Sequence, residues 1–179
     1  EKKVQKGRAS PTDTYVCTNG GMVLITGNSK RRLPPQGLQI VVGNTLVPHS
    51  TAKMVELVGD LQKKHPEIAN PILDAIGNVT LAALHAISNP KELGQCMDMN
   101  NALLEALGVG HPASSKLVLA ARASGAYGAK ITGAGGGGCI IALCPRRAKS
   151  RVAGAIEACE GKAIITTIDT DGARKEKHE

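Results

Sequence analysis

The chain has 179 residues, and its 22 Lys and Arg against 15 Asp and Glu give a formal net charge of +7. Apolar residues at 42% and charged residues at 21% are typical of a globular protein and argue against a disordered or fibrous chain. No apolar run reaches the roughly 18 residues of a membrane span, and no signal-peptide-like run follows the Lys-rich start. We therefore expect a cytoplasmic protein with no membrane segment.

Apolar periodicity along the chain predicts five strands and five helices. Short β-branched runs bounded by Gly and Pro predict strands at residues 21–26, 38–42, 129–132, 139–144 and 163–168. Helical spacing with capping residues predicts helices from Ser50 or Thr51 to His65, and over residues 69–88, 90–107, 112–125 and 148–159. This order favours an α+β fold, with one mostly antiparallel sheet covered by helices, over a doubly wound parallel sheet.

The five cysteines and the excess positive charge point to no special chemistry. The cysteines lack paired CxxC spacing and several lie in apolar runs, which favours buried thiols in a reducing compartment over disulfides or zinc. Basic residues cluster only at the two ends and in short pairs, and the chain has two Tyr but no Phe or Trp to stack on bases. A solvated basic surface is a better interpretation than a nucleic-acid interface.

The segment from Lys130 to Cys139 has the most informative composition, because glycine occupies five of the six positions from 133 to 138. Gly133, Gly135 and Gly138 match GxGxxG, but a dinucleotide site needs a helix next, whereas residues 139–144 predict a strand. The Walker A pattern also fails, since no Gly-Lys-Ser/Thr closes the run. Two interpretations remain open: an anion-binding nest of backbone N–H groups, or a tight strand-to-strand connection.

Three segments together resemble the signature motifs of the GHMP small-molecule kinases, and within them the mevalonate kinase branch of archaeal type. Residues 131–139 (ITGAGGGGC) resemble the third motif, and residues 44–51 (NTLVPHST) are similar to the family's Asn-Thr-x-Val-Pro-x-x-Thr stretch. Residues 7–21 resemble the segment that carries a catalytic aspartate, although Ser10-Pro-Thr-Asp13 departs from the common Ser-Gly-Ile-Asp at its second and third positions.

The resemblance implies roles for individual residues in moving a phosphoryl group from ATP to an alcohol. Asp13 would be the catalytic residue, orienting or deprotonating the hydroxyl of mevalonate, and Arg8 would bind the carboxylate of mevalonate. Taken alone, Asp13 would pass for a turn or capping residue and Arg8 for a solvated basic residue. Thr45 and Ala134 would contact the substrate, and the loop glycines near the phosphates would be Gly133, Gly135, Gly136 and Gly137.

The resemblance also sets expectations for domains, cofactors and partners. Residues 1–20 would complete a missing amino-terminal half, residues 21–172 would form a GHMP kinase C-terminal-type domain, and residues 173–179 would be a charged tail. The motifs that wrap ATP and bind Mg²⁺ in relatives do not occur in this sequence, so the Mg²⁺ ligands would lie in that missing half, in cis or in trans. The chain alone would then be inactive.

Other functions remain open at this point. The chain could be part of another GHMP kinase, such as a phosphomevalonate or homoserine kinase, or a non-catalytic small-molecule-binding module of that fold. The oligomeric state is undetermined, with a homodimer among the options, and we expect neither nucleic acid nor membrane as a partner.

Overall fold

The structure, a computed structural model, describes residues 12–27, 29–34 and 37–174. Six α-helices occur among these residues: α1 (Thr12–Asn19), α2 (Thr51–Lys64), α3 (Pro66–His85), α4 (Pro90–Ala106), α5 (Pro112–Ala123) and α6 (Lys149–Ala158). Six strands also occur among them: β1 (Met22–Thr26), β2 (Ser29–Leu33), β3 (Ile40–Asn44), β4 (Gly128–Ile131), β5 (Cys139–Leu143) and β6 (Lys162–Thr166). A 3-10 turn at Arg146–Ala148 precedes α6.

The chain divides into two compact units. The larger spans residues 38–166, and the smaller combines the described residues before Leu38 with those from Thr167 onward. In the smaller unit β1 and β2 form an antiparallel hairpin, and the Gly21 N–H donates to Asp169 O at 2.6 Å. The domain boundaries expected from sequence, at residues 20 and 172, differ from these divisions and remain a prediction.

The larger unit is an antiparallel sheet with helices on one face. Its strand order is β4-β5-β3-β6, and each neighbouring pair is antiparallel. Helices α5 and α6 pack against this sheet through a core of small and branched side chains: Val41, Leu117, Val118, Ala121, Ile140, Val152 and Ile156. The α+β class with a mostly antiparallel, helix-covered sheet is therefore confirmed.

Capping residues start the helices where the sequence predicts them. The Ser50 hydroxyl accepts a hydrogen bond from Lys53 N at the start of α2, and Asn89 Oδ1 accepts from Lys91 N and Glu92 N at the start of α4. His111 caps α5 through Nδ1, which accepts from Ala113 N at 3.2 Å. These caps hold the segments between elements in fixed positions, including the two that border the glycine run.

Two elements were not predicted, and one begins earlier than expected. Strand β2 (Ser-Lys-Arg-Arg-Leu) has no apolar alternation and is almost entirely exposed, so it depends on β1 as its hydrogen-bonding partner. Helix α1 buries no residue completely and has no amphipathic pattern. Helix α3 starts at Pro66 rather than Ala69, because proline is well tolerated in the first helical turn.

The cysteines are free thiols, but they are not all buried. Cys96 and Cys144 are buried, Cys139 and Cys159 are half-buried, and Cys17 is exposed on α1. Burial raises the pKa of the Cys144 thiol above its ordinary value. Within the described ranges, no helix combines the length and apolar character that crossing a bilayer requires.

Candidate functional site

The glycine run forms a loop between β4 and β5, and the backbone conformation of this loop favours glycine. All five glycines have positive φ: 77° at Gly133, 84° at Gly135, 73° at Gly136, 127° at Gly137 and 69° at Gly138. L-residues pay about 1–2 kcal/mol for left-handed backbone, so a loop of this shape strongly favours glycine at each position. The loop is the strand-to-strand connection that the composition suggested, and its N–H groups decide whether it can also bind an anion.

Thr45, directly after β3, fastens the carboxyl-terminal end of this loop. Its backbone N–H and its hydroxyl both donate to Gly138 O at 2.8 Å, and the hydroxyl accepts from Val47 N at 3.2 Å. Gly138 N in turn donates to Val47 O at 3.1 Å. Thr45 is buried, so these hydrogen bonds form out of contact with bulk water. They join residues 44–51 directly to residues 131–139, two of the segments that resemble family motifs.

The segment between α4 and α5 holds the middle of the loop. Gly136 N donates to Val109 O at 2.8 Å, and a methyl group built on Gly135 would lie 2.2 Å from that same oxygen. Gly135 is itself buried. The loop therefore lies directly against the backbone at Val109, and only a residue without a side chain fits at that contact.

The first turn of α2 borders the loop from another side. A methyl group built on Gly136 would lie 2.7 Å from Met54 Sδ, and one on Gly138 would lie 2.8 Å from His49 Cε1. This helix end carries Lys53 and no acidic residue. Because a helix N-terminus carries a partial positive charge, it favours anions on the side of the loop where it lies.

Several N–H groups of the loop have no internal partner among the described residues, and those at its exposed start are accessible to a ligand. Those of Gly133, Ala134 and Gly137 have no hydrogen-bond partner within the part of the chain that the structure describes, whereas those of Gly136 and Gly138 are paired internally. Gly133 is exposed and Ala134 half-exposed, whereas Gly137 is buried. Unpaired backbone donors beside a basic helix end can bind phosphate oxygens, which supports the anion-binding interpretation.

Lys130 lies in β4, two residues before Thr132. Its ammonium group donates to Ile131 O at 2.7 Å, and burial lowers the pKa of Lys130 below its ordinary value. This carbonyl partly replaces the hydration that the buried ammonium group loses.

The other residues predicted from sequence are placed as follows. Asp13 is exposed in the first turn of α1, in the smaller unit, and its catalytic role stays a prediction. Arg8 lies outside the described residues. Ala134 is at the turn of the loop, where its side chain is half-exposed.

Sequence reasoning did not identify Val109, Met54 or His49 as neighbours of the loop. Val109 acts through its carbonyl oxygen, a group that every residue carries, so no sequence signal marks it. Met54 lies at an apolar position of the predicted helix, a pattern that marks it as a packing residue and not as a neighbour of the loop. The caps at Ser50 and His111 were the available signal, because they fix the two segments that approach the loop.

Replacing Thr45 by valine tests its hold on the loop. Valine keeps the shape of threonine but leaves Val47 N without its acceptor, so we expect the free energy of unfolding to fall by about 1–3 kcal/mol. Thr45→Ser retains the hydroxyl and should stay within about 1 kcal/mol of the unaltered chain. Urea unfolding of both variants measures the difference, and a Thr45→Val chain as stable as Thr45→Ser would contradict these hydrogen bonds.

Comparison with known proteins places this arrangement in a family. Residues 80–162, which include α4, α5 and the whole glycine loop, match the family model described as GHMP kinases C terminal. The mevalonate kinase of Thermococcus sibiricus is 41% identical over 178 residues, which is 96% of this chain and 53% of that protein. The chain thus spans about half the length of the curated relatives it matches.

Solved structures agree with the sequence comparison. The mevalonate kinase of L. major, solved in complex with R-mevalonate, superposes with a TM-score of 0.80 at 27% identity, over 93% of this chain and 55% of that one. The mevalonate kinase of Methanococcus jannaschii gives a TM-score of 0.77 at 26% identity, over 94% of this chain and 53% of that one. The chain therefore carries a GHMP kinase C-terminal domain, in the residues 80–162 that match the family model.

Proposed function

We propose that this chain is the substrate-side part of a mevalonate kinase, which transfers the γ-phosphoryl group of ATP to the C5 hydroxyl of mevalonate. The observation that carries the proposal is the glycine loop, fastened by Thr45 and Val109, with N–H groups of Gly133, Ala134 and Gly137 unpaired within the described part of the chain. Similarity to proteins named mevalonate kinase over 96% of the chain supports the choice of substrate.

Phosphoryl transfer needs positioning and positive charge around the moving group more than covalent help from the protein. In this proposal the N–H groups of the loop and the N-terminus of α2 surround the phosphates of ATP, with Gly133, Gly135, Gly136 and Gly137 closest to them. ATP supplies the phosphoryl group that is transferred. Because these donors are held rigidly before the reaction, they stabilise the developing charge without having to reorganise.

The alcohol is held by the other predicted residues. Arg8 pairs with the carboxylate of mevalonate through its planar guanidinium, and Asp13 accepts the hydroxyl proton late in the transfer. Ala134 faces the substrate, and Thr45 contacts it while holding the loop through Gly138. A side chain larger than that of Ala134 would crowd this position.

Mg²⁺ is not assigned to this chain. The described residues contain no group of three or more His, Cys, Asp or Glu side chains able to hold a metal ion. We propose that the ligands for Mg²⁺, and the remaining contacts to ATP, come from an amino-terminal half in cis or in trans. Turnover then requires both halves.

Complementation tests this proposal. The chain is assayed alone and after mixing with the amino-terminal half of an archaeal mevalonate kinase, by following ADP release and formation of phosphorylated mevalonate. We expect no turnover from either half alone and turnover from the mixture. Normal turnover by the chain alone would overturn the division of the site, and mevalonate binding without any complementation would favour a non-catalytic binding module.

A substrate panel in the same assay tests the choice of alcohol. Mevalonate, phosphomevalonate and homoserine are each offered to the active mixture at equal concentration. We expect turnover of mevalonate at least about a hundredfold above the other two, since a site built for one set of polar contacts rejects analogues that leave them unpaired. Preference for phosphomevalonate or homoserine would change the proposed substrate and leave the proposed kinase activity unchanged.

A further inference from the structure

The glycine loop begins directly after β4, an edge strand whose outer side has no neighbouring strand in the part of the chain that the structure describes. In the sheet order β4-β5-β3-β6, strand β4 pairs with β5 and with no other strand of the described residues. The N–H groups of Ala129 and Ile131 therefore point away from β5, and each would lack a partner if the edge were left open. Ile131 lies two residues before Gly133, so the group that accepts a hydrogen bond from Ile131 N also influences the position of the loop.

Helix α4 supplies these partners with two side chains one turn apart. Asp98 Oδ1 accepts from Ala129 N and Asn101 Oδ1 accepts from Ile131 N, both at 3.0 Å. Asn101 is only 4% exposed, so its hydrogen bond is shielded from water. Asp98 also forms an ion pair with Arg122 of α5, with Nε and Oδ2 3.1 Å apart.

The close approach of α4 to β4 depends on two glycines. A methyl group built on Gly128 would lie 2.0 Å from Gly94 O, and one built on Gly94 would lie 2.4 Å from Tyr127 O. The helix backbone thus packs directly against the strand backbone. At this separation the short side chains of Asp98 and Asn101 reach the strand.

The segment that directly follows α4 makes the contact that holds the middle of the loop. After α4 ends at Ala106, Val109 O accepts from Gly136 N. Helix α4 is therefore connected to the loop at its start, through Asn101 and Ile131, and at its centre, through Val109. Thr45 holds the remaining end through Gly138.

We propose that Asn101, supported by Asp98, is a positioning residue that sets the place of the glycine loop through the backbone of β4. This inference rests on the proposed function, because the loop is the part of the chain that surrounds the phosphoryl group there. Neither side chain touches a reactant in this proposal. Loss of the Asn101 acceptor lets the start of the loop move away from its position while the core of the larger unit stays folded.

Three variants separate positioning from stability. Asn101→Leu removes the acceptor and keeps the branched shape of the side chain, and Asn101→Asp keeps an acceptor oxygen at the same place. Val152→Ala creates a cavity in the core, on α6, and serves as the destabilised control. The first readout is amide hydrogen exchange of Gly136 and Gly138 in the isolated chain, compared with exchange of core amides in β5.

We expect Asn101→Leu to speed exchange of Gly136 and Gly138 about tenfold more than exchange of the core amides. Asn101→Asp should restore loop protection relative to the core, and Val152→Ala should speed loop and core exchange in the same proportion. The second readout is the complemented enzyme, in which Asn101→Leu should lower kcat by about tenfold to a hundredfold with little change in KM.

The two readouts fail independently. Parallel acceleration of loop and core exchange in Asn101→Leu, as in Val152→Ala, would overturn the positioning role, as would an active mixture whose kcat stays within about twofold of the unaltered enzyme. Absence of turnover from the unaltered mixture would instead count against the proposed function. In that case the exchange measurement alone decides the role of Asn101.

Discussion

Gly135→Ala should lower the free energy of unfolding of the larger unit by about 3 kcal/mol or more and disable the glycine loop. The reason lies in the contact with Val109, since the added methyl group would lie 2.2 Å from Val109 O. That oxygen accepts the N–H of Gly136, so moving it to relieve the clash also breaks a hydrogen bond of the loop. Backbone atoms cannot rotate out of the way as a side chain can.

Two neighbouring glycines provide matched controls for this variant. Gly133 has φ of 77°, close to the 84° of Gly135, but a methyl group there would meet nothing within 4 Å. Gly133→Ala therefore carries only the conformational cost of about 1–2 kcal/mol. The added methyl group of Gly136→Ala, at φ of 73°, would meet Met54 Sδ. Because the Met54 side chain is flexible, we expect a loss of unfolding free energy between those of Gly133→Ala and Gly135→Ala.

Urea unfolding of the three alanine variants measures the order of their losses in unfolding free energy. The midpoints are compared directly if the dependence of that free energy on urea concentration is the same in all three. In the complemented enzyme, Gly135→Ala should also lose most of its turnover, because the N–H groups of the loop would no longer keep their positions. If all three variants lose the same stability, the cost is backbone conformation alone, and the close contact with Val109 is not as described.

The sequence predicted most of the larger unit because its elements carry strong local signals. Strand β5 is a continuous apolar run stopped by Pro145, and α4 begins at an Asn-Pro pair that caps and starts it. Strand β2 carries no such signal, since four of its five residues are polar or charged and exposed. Its existence depends on pairing with β1, a contact that single-sequence periodicity cannot detect.

The candidate site shows a similar division. Composition alone identified the glycine loop, and the resemblance to GHMP motifs identified Thr45. Neither could identify the atoms that hold the loop, because Val109 contributes a backbone oxygen and Asn101 pairs with a residue 30 positions away. These contacts arise from tertiary packing of α4 against β4, which two glycines make possible.

Asp13→Asn should lower kcat of the complemented enzyme by at least about a hundredfold, the usual range for loss of a general base. An alcohol is a poor acid until its bond to phosphorus begins to form, so the carboxylate acts late in the transfer. Asparagine has nearly the same shape but cannot accept the proton. Substrate binding should change much less than kcat, because the amide can still hydrogen-bond the hydroxyl.

This substitution also separates catalysis from the ordinary structural interpretation of Asp13. The residue lies in the first turn of α1, where an aspartate often only caps or stabilises the helix. Asparagine loses only the attraction between the carboxylate and the helix dipole, about 0.3–1 kcal/mol of stability, so a purely structural role predicts almost unchanged turnover. Asp74→Asn, at an exposed position of α3, removes the same charge elsewhere and should keep full activity. Steady-state kinetics of both variants, with their unfolding midpoints, therefore decide whether the carboxylate of Asp13 takes part in the reaction.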